Sequence, residues 1–197
     1  MNVPAIAIMP PFAHHIVYSA YGFWLPNDPR GSWSTFVGSK RLYERFGSAT
    51  KVSTTHSLAR RPHNHAQRLA AKRGLAYPPA VFTGRLAREV ALAIKDVAGA
   101  KRLAVFACAV MPDHVHLVLR TSRWTPVQIL ASCRARASRR LHEADLWPAD
   151  RPIWGKGRWV VDLDSAADVL TRIHYVEQNP IKAGLPPQRW SFLQPFP

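Results

Sequence analysis

The sequence predicts an α+β fold: an antiparallel sheet in split βαββαβ order with helices on one face, plus a C-terminal helix and a long insertion after the first strand. Three observations carry that prediction. Apolar, β-branched segments recur at 15–21, 103–110 and 114–119; capped stretches of helical periodicity separate or follow them; and from Trp24 to about Pro79 the texture turns polar, basic and rich in turn residues.

The elements follow in order. His15-Ile16-Val17-Tyr18-Ser19-Ala20-Tyr21, closed by Gly22, reads as a core strand. Pro26-Asn27-Asp28-Pro29-Arg30-Gly31 is turn chemistry, and Arg60-Arg61-Pro62, Arg68 and Lys72-Arg73-Gly74 make a basic stretch with few large apolar residues. Short helices are expected within this insertion at Lys40–Phe46 and 65–72. Thr83 is placed to cap a helix to about Ala98, whose Leu86, Val90, Ile94 and Val97 form one apolar stripe and which Gly99 should stop. Leu103–Val110 is almost unbroken apolar, as a strand buried on both faces is, and Met111-Pro112-Asp113 turns it into His114–Leu119. Thr125-Pro126-Val127-Gln128 is a capping box with proline at the first helical position, opening a helix to about Glu143 with Ile129 or Leu130, Cys133, Ala137 and Leu141 inward. Trp154–Val161 reads as a glycine-loosened loop entering the last strand. Ser165, with Asp168 three residues on, caps a final helix that Pro180 and Gly184 should end.

The 197 residues fit one domain, with a core at about 13–25 and 80–180, an insertion at about 26–79 and a tail at about 181–197. The tail aromatics Trp190, Phe192 and Phe196 are expected to pack back on the domain. With 47% hydrophobic residues, whole-chain disorder is excluded. No run approaches the ~18 apolar residues of a membrane span, and MNVPAIAIMPPF has no basic segment before its apolar stretch, so a cytoplasmic protein is expected. Cys108 and Cys133 are the only cysteines, too few for a disulfide scaffold or a four-cysteine zinc site. Lys and Arg number 27 against 12 Asp and Glu, a net charge of +15. Such an excess attracts phosphate polyanions by counterion release, though it would equally attract an acidic membrane surface.

His114-Val115-His116 is the sharpest chemical feature. Side chains alternate along a strand, so both imidazoles share a face; two nitrogen donors suit a divalent metal and leave room for a third ligand and a substrate oxygen. Two histidines on a solvent-facing sheet would look the same. His63-Asn64-His65 lacks the flanking apolar alternation, so nothing local fixes its rings together, and the adjacent His14 and His15 should point to opposite faces. On the final helix Tyr175 and Asn179 stand at i and i+4, one turn apart on one face. Tyr175 is an oxygen nucleophile or a core tyrosine with its hydroxyl at the surface; Asn179 is a hard-cation ligand or part of an Asn-Pro terminator, with Gln178 as its rival. Arg134, Arg139 and Arg140, with Arg60, Arg61 and Arg158, could grip phosphates. Trp24, Trp33, Trp154 and Trp159 could stack unpaired bases, at most two of them being exposed. No GxxxxGK[ST] sequence is present.

Val110-Met111-Pro112-Asp113-His114-Val115-His116-Leu117-Val118-Leu119 followed by Tyr175-Val176-Glu177-Gln178-Asn179-Pro180-Ile181-Lys182-Ala183-Gly184-Leu185 closely resembles the HUH single-strand transposases, in particular the REP-associated tyrosine transposases of bacteria. Tyr21-Gly22-Phe23-Trp24-Leu25-Pro26-Asn27-Asp28-Pro29-Arg30-Gly31-Ser32-Trp33 is similar to the start of one branch of that group. The resemblance implies a ferredoxin-like catalytic domain, Mg²⁺ or Mn²⁺ on His114 and His116, Tyr175 as nucleophile and Asn179 as third ligand, where mobile-element relatives carry Gln. It further implies single-stranded DNA with a short palindromic hairpin as partner, a monomer rather than a homodimer, and a nucleoid-associated location. The rival expectation is a non-catalytic nucleic-acid-binding module on the same scaffold.

Overall fold

The computed structural model describes residues 11–54, 58–59 and 61–197. The elements run β1 (Ala13–Ala20), α1 (Lys40–Phe46), α2 (His65–Arg73), α3 (Arg85–Lys101), β2 (Val105–Val110), β3 (His114–Arg120), α4 (Pro126–Glu143), β4 (Trp154–Leu163) and α5 (Ala166–Lys182). One four-stranded sheet has the order β2-β3-β1-β4. β2 and β3 form an antiparallel hairpin in which Ala109 faces His116. The Phe12 N–H donates to the Leu163 carbonyl at 2.8 Å and the Thr121 N–H to the Phe12 carbonyl at 3.2 Å, so β1 begins where β3 and β4 end and runs antiparallel to both. This is the expected βαββαβ sheet, with α3 and α4 as its two paired helices and α5 added at the end.

The chain divides into two compact units. One comprises the described residues up to Tyr18 with Phe82–Trp147 and Arg158–Pro197; the other comprises Ser19–Val81 and Pro148–Gly157. In the first unit the two sheet faces take different helices. α5 packs through Val169, Ile173 and Val176 on Ala13, Ala107, Ala109, Val118 and Leu163. Strand alternation puts His114 and His116 on the same face as Val118. On the opposite face Tyr18 and Cys108 meet α4 near Cys133. There α4 packs beside α3 and buries Ile129, Leu130, Cys133, Ala137 and Leu141, while α3 buries Val90, Ile94 and Val97.

Three boundaries differ from expectation for local reasons. Thr83 does not cap α3; the helix starts after Gly84, which has φ +50° and makes no side-chain cap, and it runs through Gly99 to stop at Arg102 in the left-handed region. Trp154–Val161 is strand from its first residue. A Cβ on Gly155 would stand 2.6 Å from Ser19 Oγ and 2.9 Å from the Ala20 carbonyl, so glycine here permits close strand approach instead of loosening a loop. Pro180 lies inside α5. Its missing N–H is tolerated in the last turn, which closes beyond it by bonds from the Leu185 N–H to the Pro180 carbonyl (2.8 Å) and from the Gly184 N–H to the Ile181 carbonyl (2.9 Å), with Gly184 at φ +71°. Asn179 therefore stays helical, one turn from Tyr175.

The tail packs back on the domain, along the outer edge of β2. Gln188 accepts from the Val110 N–H and donates to the Val110 carbonyl, both at 2.8 Å. The Gln194 N–H donates to the Val105 carbonyl at 2.8 Å, and Phe196 meets the Phe106 ring edge-on at 5.1 Å.

In the second unit the Pro26–Gly31 turn is a buried knot. Arg30 grips Asp28 with Nε and Nη2, both at 2.8 Å, and lies 3.7 Å over the Trp24 ring, whose Nε1 donates to the Gly31 carbonyl at 2.8 Å. Both charged side chains are buried, and α1 packs against α2. His63 and His65, at the start of α2, do bring their rings together, with centroids 4.1 Å apart, on either side of the Asn64 N-cap, whose side chain accepts from the Gln67 N–H.

Candidate active site

The β3 register turns His114 and His116 to one face, and their Nε2 atoms converge to 2.8 Å. Each ring is held from behind. The Asp113 carboxylate accepts from His114 Nδ1 at 2.7 Å, and His116 Nδ1 meets His15 Nε2, from β1, at 3.0 Å. His15 and His116 are stacked at 5.2 Å with only 8° between their planes. His15 has no exposed surface, His116 only 5%, and His114 is partly buried, so the His114–His116 pair does not lie open on a solvent-facing sheet. Burial pushes His15 down to about 3, helped by the positive charge of Arg172 and by His114. Burial likewise holds His116 well below the ordinary imidazole range, with His114, His15 and Arg172 adding to it. Both rings thus keep a nitrogen lone pair at neutral pH. His14 points to the opposite face, bonding Asp162 Oδ1 at 2.7 Å.

α5 brings Tyr175 to this cluster. Its ring centroid lies 5.7 Å from that of His116 and 6.2 Å from that of His15, edge-on to both, and the residue is 37% exposed. Arg172, one turn earlier, has its guanidinium carbon 5.5 Å from the Tyr175 ring centre. One turn later, the Asn179 Nδ2 atom is buried without a hydrogen-bond partner among the described residues. Gln178 is partly buried.

The arginines scatter. Arg140 is bound to Glu89 (2.8 Å) and Asp96 (3.1 Å) of α3. Burial works against the Asp96 carboxylate, yet hydrogen bonds from Arg136 and Arg140 hold it below its ordinary range. Arg134 sits 5.7 Å over the Tyr18 ring, where burial and the neighbouring Arg158 charge lower its pKa. Arg139 and Arg158 are exposed. Arg61 Nη1 donates to the Arg30 carbonyl at 3.1 Å, and Arg60 lies outside the described residues. Of the four tryptophans Trp33 alone is exposed, at 45%, whereas Trp24 is covered by Arg30.

Sequence reasoning missed three contributors. His15 was visible only as half of an adjacent pair, Asp113 only as a turn residue, and Arg172 only as a charge on a helix. The i, i+3 spacing of Arg172 and Tyr175 was the one local signal available.

The family model "Transposase IS200 like" matches residues 75–179. The chain belongs to the IS200-like transposase family. The matched span is more than half of the sequence and holds His114, His116, Tyr175 and Asn179, but leaves out β1 and with it His15. Among solved structures, this IS200-like chain is similar to a Deinococcus radiodurans R1 protein assigned as a transposase, at 14% identity over 90% of this chain and 97% of that one, with a TM-score of 0.43. It is also similar to a REP-associated tyrosine transposase bound to a REP hairpin, at 13% identity over 98% of this chain and 81% of that one, with a TM-score of 0.43. No curated protein matches. Among the described residues no helix is long and apolar enough to cross a membrane.

No group of three or more His, Cys, Asp or Glu side chains suited to a metal occurs among the described residues. A metal at the imidazole pair would therefore take further ligands from an amide or from substrate. The donor chemistry fits such a site: two converging nitrogens, one ring fixed by a carboxylate, and on the tyrosine helix, one turn from Tyr175, an asparagine whose side-chain carbonyl oxygen is of the type that suits a hard cation.

Proposed function

We propose that this transposase cleaves and rejoins single-stranded DNA at a short, REP-like palindromic hairpin through a 5′-phosphotyrosine on Tyr175. The observation that carries the reading is the 5.7 Å approach of the Tyr175 ring to His116, joining a nucleophile on α5 to the imidazole pair on β3. The Tyr175-x-x-x-Asn179-Pro180 run, shared with the REP-associated group, supports the hairpin substrate.

Tyr175 Oη gives its proton to solvent and attacks phosphorus in line, the P–O3′ bond breaks, and the departing 3′ oxygen takes up a proton from solvent. Because the phosphodiester energy is kept in the tyrosyl ester, a 3′-hydroxyl can reverse the step without nucleotide hydrolysis. His114, His116 and the Asn179 side-chain carbonyl would hold Mg²⁺ or Mn²⁺, which when bound supplies Lewis-acid polarisation of the scissile phosphate. Arg172 places positive charge beside the attacking phenol. Arg139 and Arg158, both exposed, together with Arg61, Arg134 and the basic stretch around Arg60, are the proposed phosphate contacts, and Trp33 is the proposed stacking platform. Arg140, saturated by Glu89 and Asp96, contributes mainly by fixing α4 to α3. One chain already brings the imidazoles and the phenol together, so the proposed enzyme acts as a monomer.

The test uses a 5′-labelled and a 3′-labelled hairpin oligonucleotide with Mn²⁺. Wild type should form a denaturation-resistant protein–DNA adduct carrying the 3′ label, and Tyr175→Phe should bind the hairpin without one. An adduct persisting in Tyr175→Phe, or formed equally well in EDTA, contradicts the reading. Hairpin binding with no adduct under any condition would make the protein a binding module.

A further inference from the structure

We infer that Trp159 is a nucleotide-positioning residue of the active site: with Val17 it floors the open end of the site, where the base of a nucleotide flanking the scissile phosphate stacks on its indole. The inference rests on the single-stranded DNA reading above and names the subsite in which that strand is held.

The sheet face that carries the imidazoles opens in one direction. β1 runs antiparallel to β3 and β4, so Ala13, His15 and Val17 advance beside Val118, His116 and His114 on one flank and beside Leu163, Val161 and Trp159 on the other. At the first end Ala13, Val118 and Leu163 are buried under α5. In the middle His15 is fully buried and His116 is 5% exposed. At the far end Val17, His114 and Trp159 are each only partly covered. Three strands thus lose their cover together. A strand of DNA whose phosphate lies at Tyr175 and His116 finds the α5 end closed, so its neighbouring sugars and bases must lie across the open end.

At that end Trp159 offers the large flat surface. Its ring centroid lies 6.0 Å from that of His15, and the Tyr175 centroid lies 6.2 Å from the same ring, so one buried imidazole links the indole to the nucleophile. Val17 offers aliphatic contact alone, and His114 is engaged by Asp113 and His116. The way in is set by the sheet edges. The C-terminal tail occupies the β2 edge through Gln188, whereas β4 is the other edge strand and its Arg158 is exposed. Arg158 precedes Trp159 in the strand and therefore points to the opposite face, close enough to Arg134 for their charges to act on each other. The β4 margin thus carries a cation for phosphate on one side and an indole for a base on the other, the two groups that hold a single strand. Stacking on an indole tolerates any base, so Trp159 sets where the strand lies and not which sequence it has.

The test uses the full chain carrying Tyr175→Phe, with Mn²⁺, so that the strand is held uncut. Fluorescence anisotropy gives the affinity for a hairpin with single-stranded flanks and for the same hairpin without them, and circular dichroism checks folding. Adding Trp159→Ala should weaken binding of the flanked hairpin by about 5- to 150-fold and leave the unflanked one unchanged, while Trp159→Phe keeps most of the affinity. An abasic residue at one flank position should cost as much as Trp159→Ala, and the two together no more than either alone. Additive losses, or undiminished affinity in a folded Trp159→Ala, overturn the inference. Should Trp159→Ala fail to fold, iododeoxyuridine placed at each flank position is photo-crosslinked to the chain with Trp159 intact and the joined peptide mapped; the absence of a crosslink at Trp159 overturns the inference by itself. A Trp159 crosslink in a wild-type chain that forms no tyrosyl adduct removes the cleavage reading and leaves this subsite standing. A chain that binds neither hairpin removes both.

Discussion

The Asp113 carboxylate meets His114 Nδ1 at 2.7 Å, from the residue next to it in the chain. The turn between β2 and β3 therefore supplies the group that orients the first imidazole of the converging pair. Asp113→Asn should leave the fold intact, because Asp113 is partly exposed, but weaken Mn²⁺ binding by about 10- to 100-fold in calorimetry. Unchanged affinity would remove the orienting role.

The role proposed for Arg172 is one of charge and not of ligation. Arg172→Gln should slow single-turnover adduct formation by about 10²-fold, as loss of one electrostatic stabiliser does, while leaving Mn²⁺ affinity in place. A gel assay with labelled hairpin reads the first quantity; wild-type adduct rates would exclude Arg172 from the reaction.

The buried Asp28–Arg30 pair holds the second unit's turn. Arg30→Ala leaves the Asp28 carboxylate buried and unpaired and removes the cover of Trp24. Urea unfolding should show a loss of about 3–5 kcal/mol. A loss below about 1 kcal/mol would place the pair among exposed ion pairs.

Cys133 gives a pH signature. Burial pushes its thiol up to about 12 from an ordinary value of 9.0. Above pH 9 the unfolded chain releases this proton and the folded chain keeps it, so the contribution is complete below 9 and is lost as pH rises toward 12. Stability should therefore fall with pH in that window by up to about 1.4 kcal/mol per pH unit for this thiol. Cys133→Ala should show a slope shallower by that amount; an identical slope would mean the thiol titrates normally.

Much of the fold was legible because its signals are local. The Thr125 and Gln128 capping box forms as the sequence spells it, and the two-residue period of His114-Val115-His116 sets both rings on one face. What stayed hidden depends on packing between distant segments. His15 reaches His116 across 101 positions, and only the strand order that sets β1 beside β3 reveals the pairing. Arg140 reads as a free cation until α3 supplies Glu89 and Asp96. Gly155 reads as a loop residue until Ser19 stands against it, and Pro180 as a terminator until the turn beyond it closes. The site's reactive groups were visible, and the groups that aim them were not.

Gln188 and Gln194 occupy the main-chain groups that Val110 and Val105 would otherwise present along the margin of the sheet. A foreign strand arriving there must first peel the C-terminal tail away, breaking three hydrogen bonds and withdrawing Phe196 from Phe106. The last ten residues thus serve as a guard against edge-to-edge aggregation, and trimming them would expose an adhesive border.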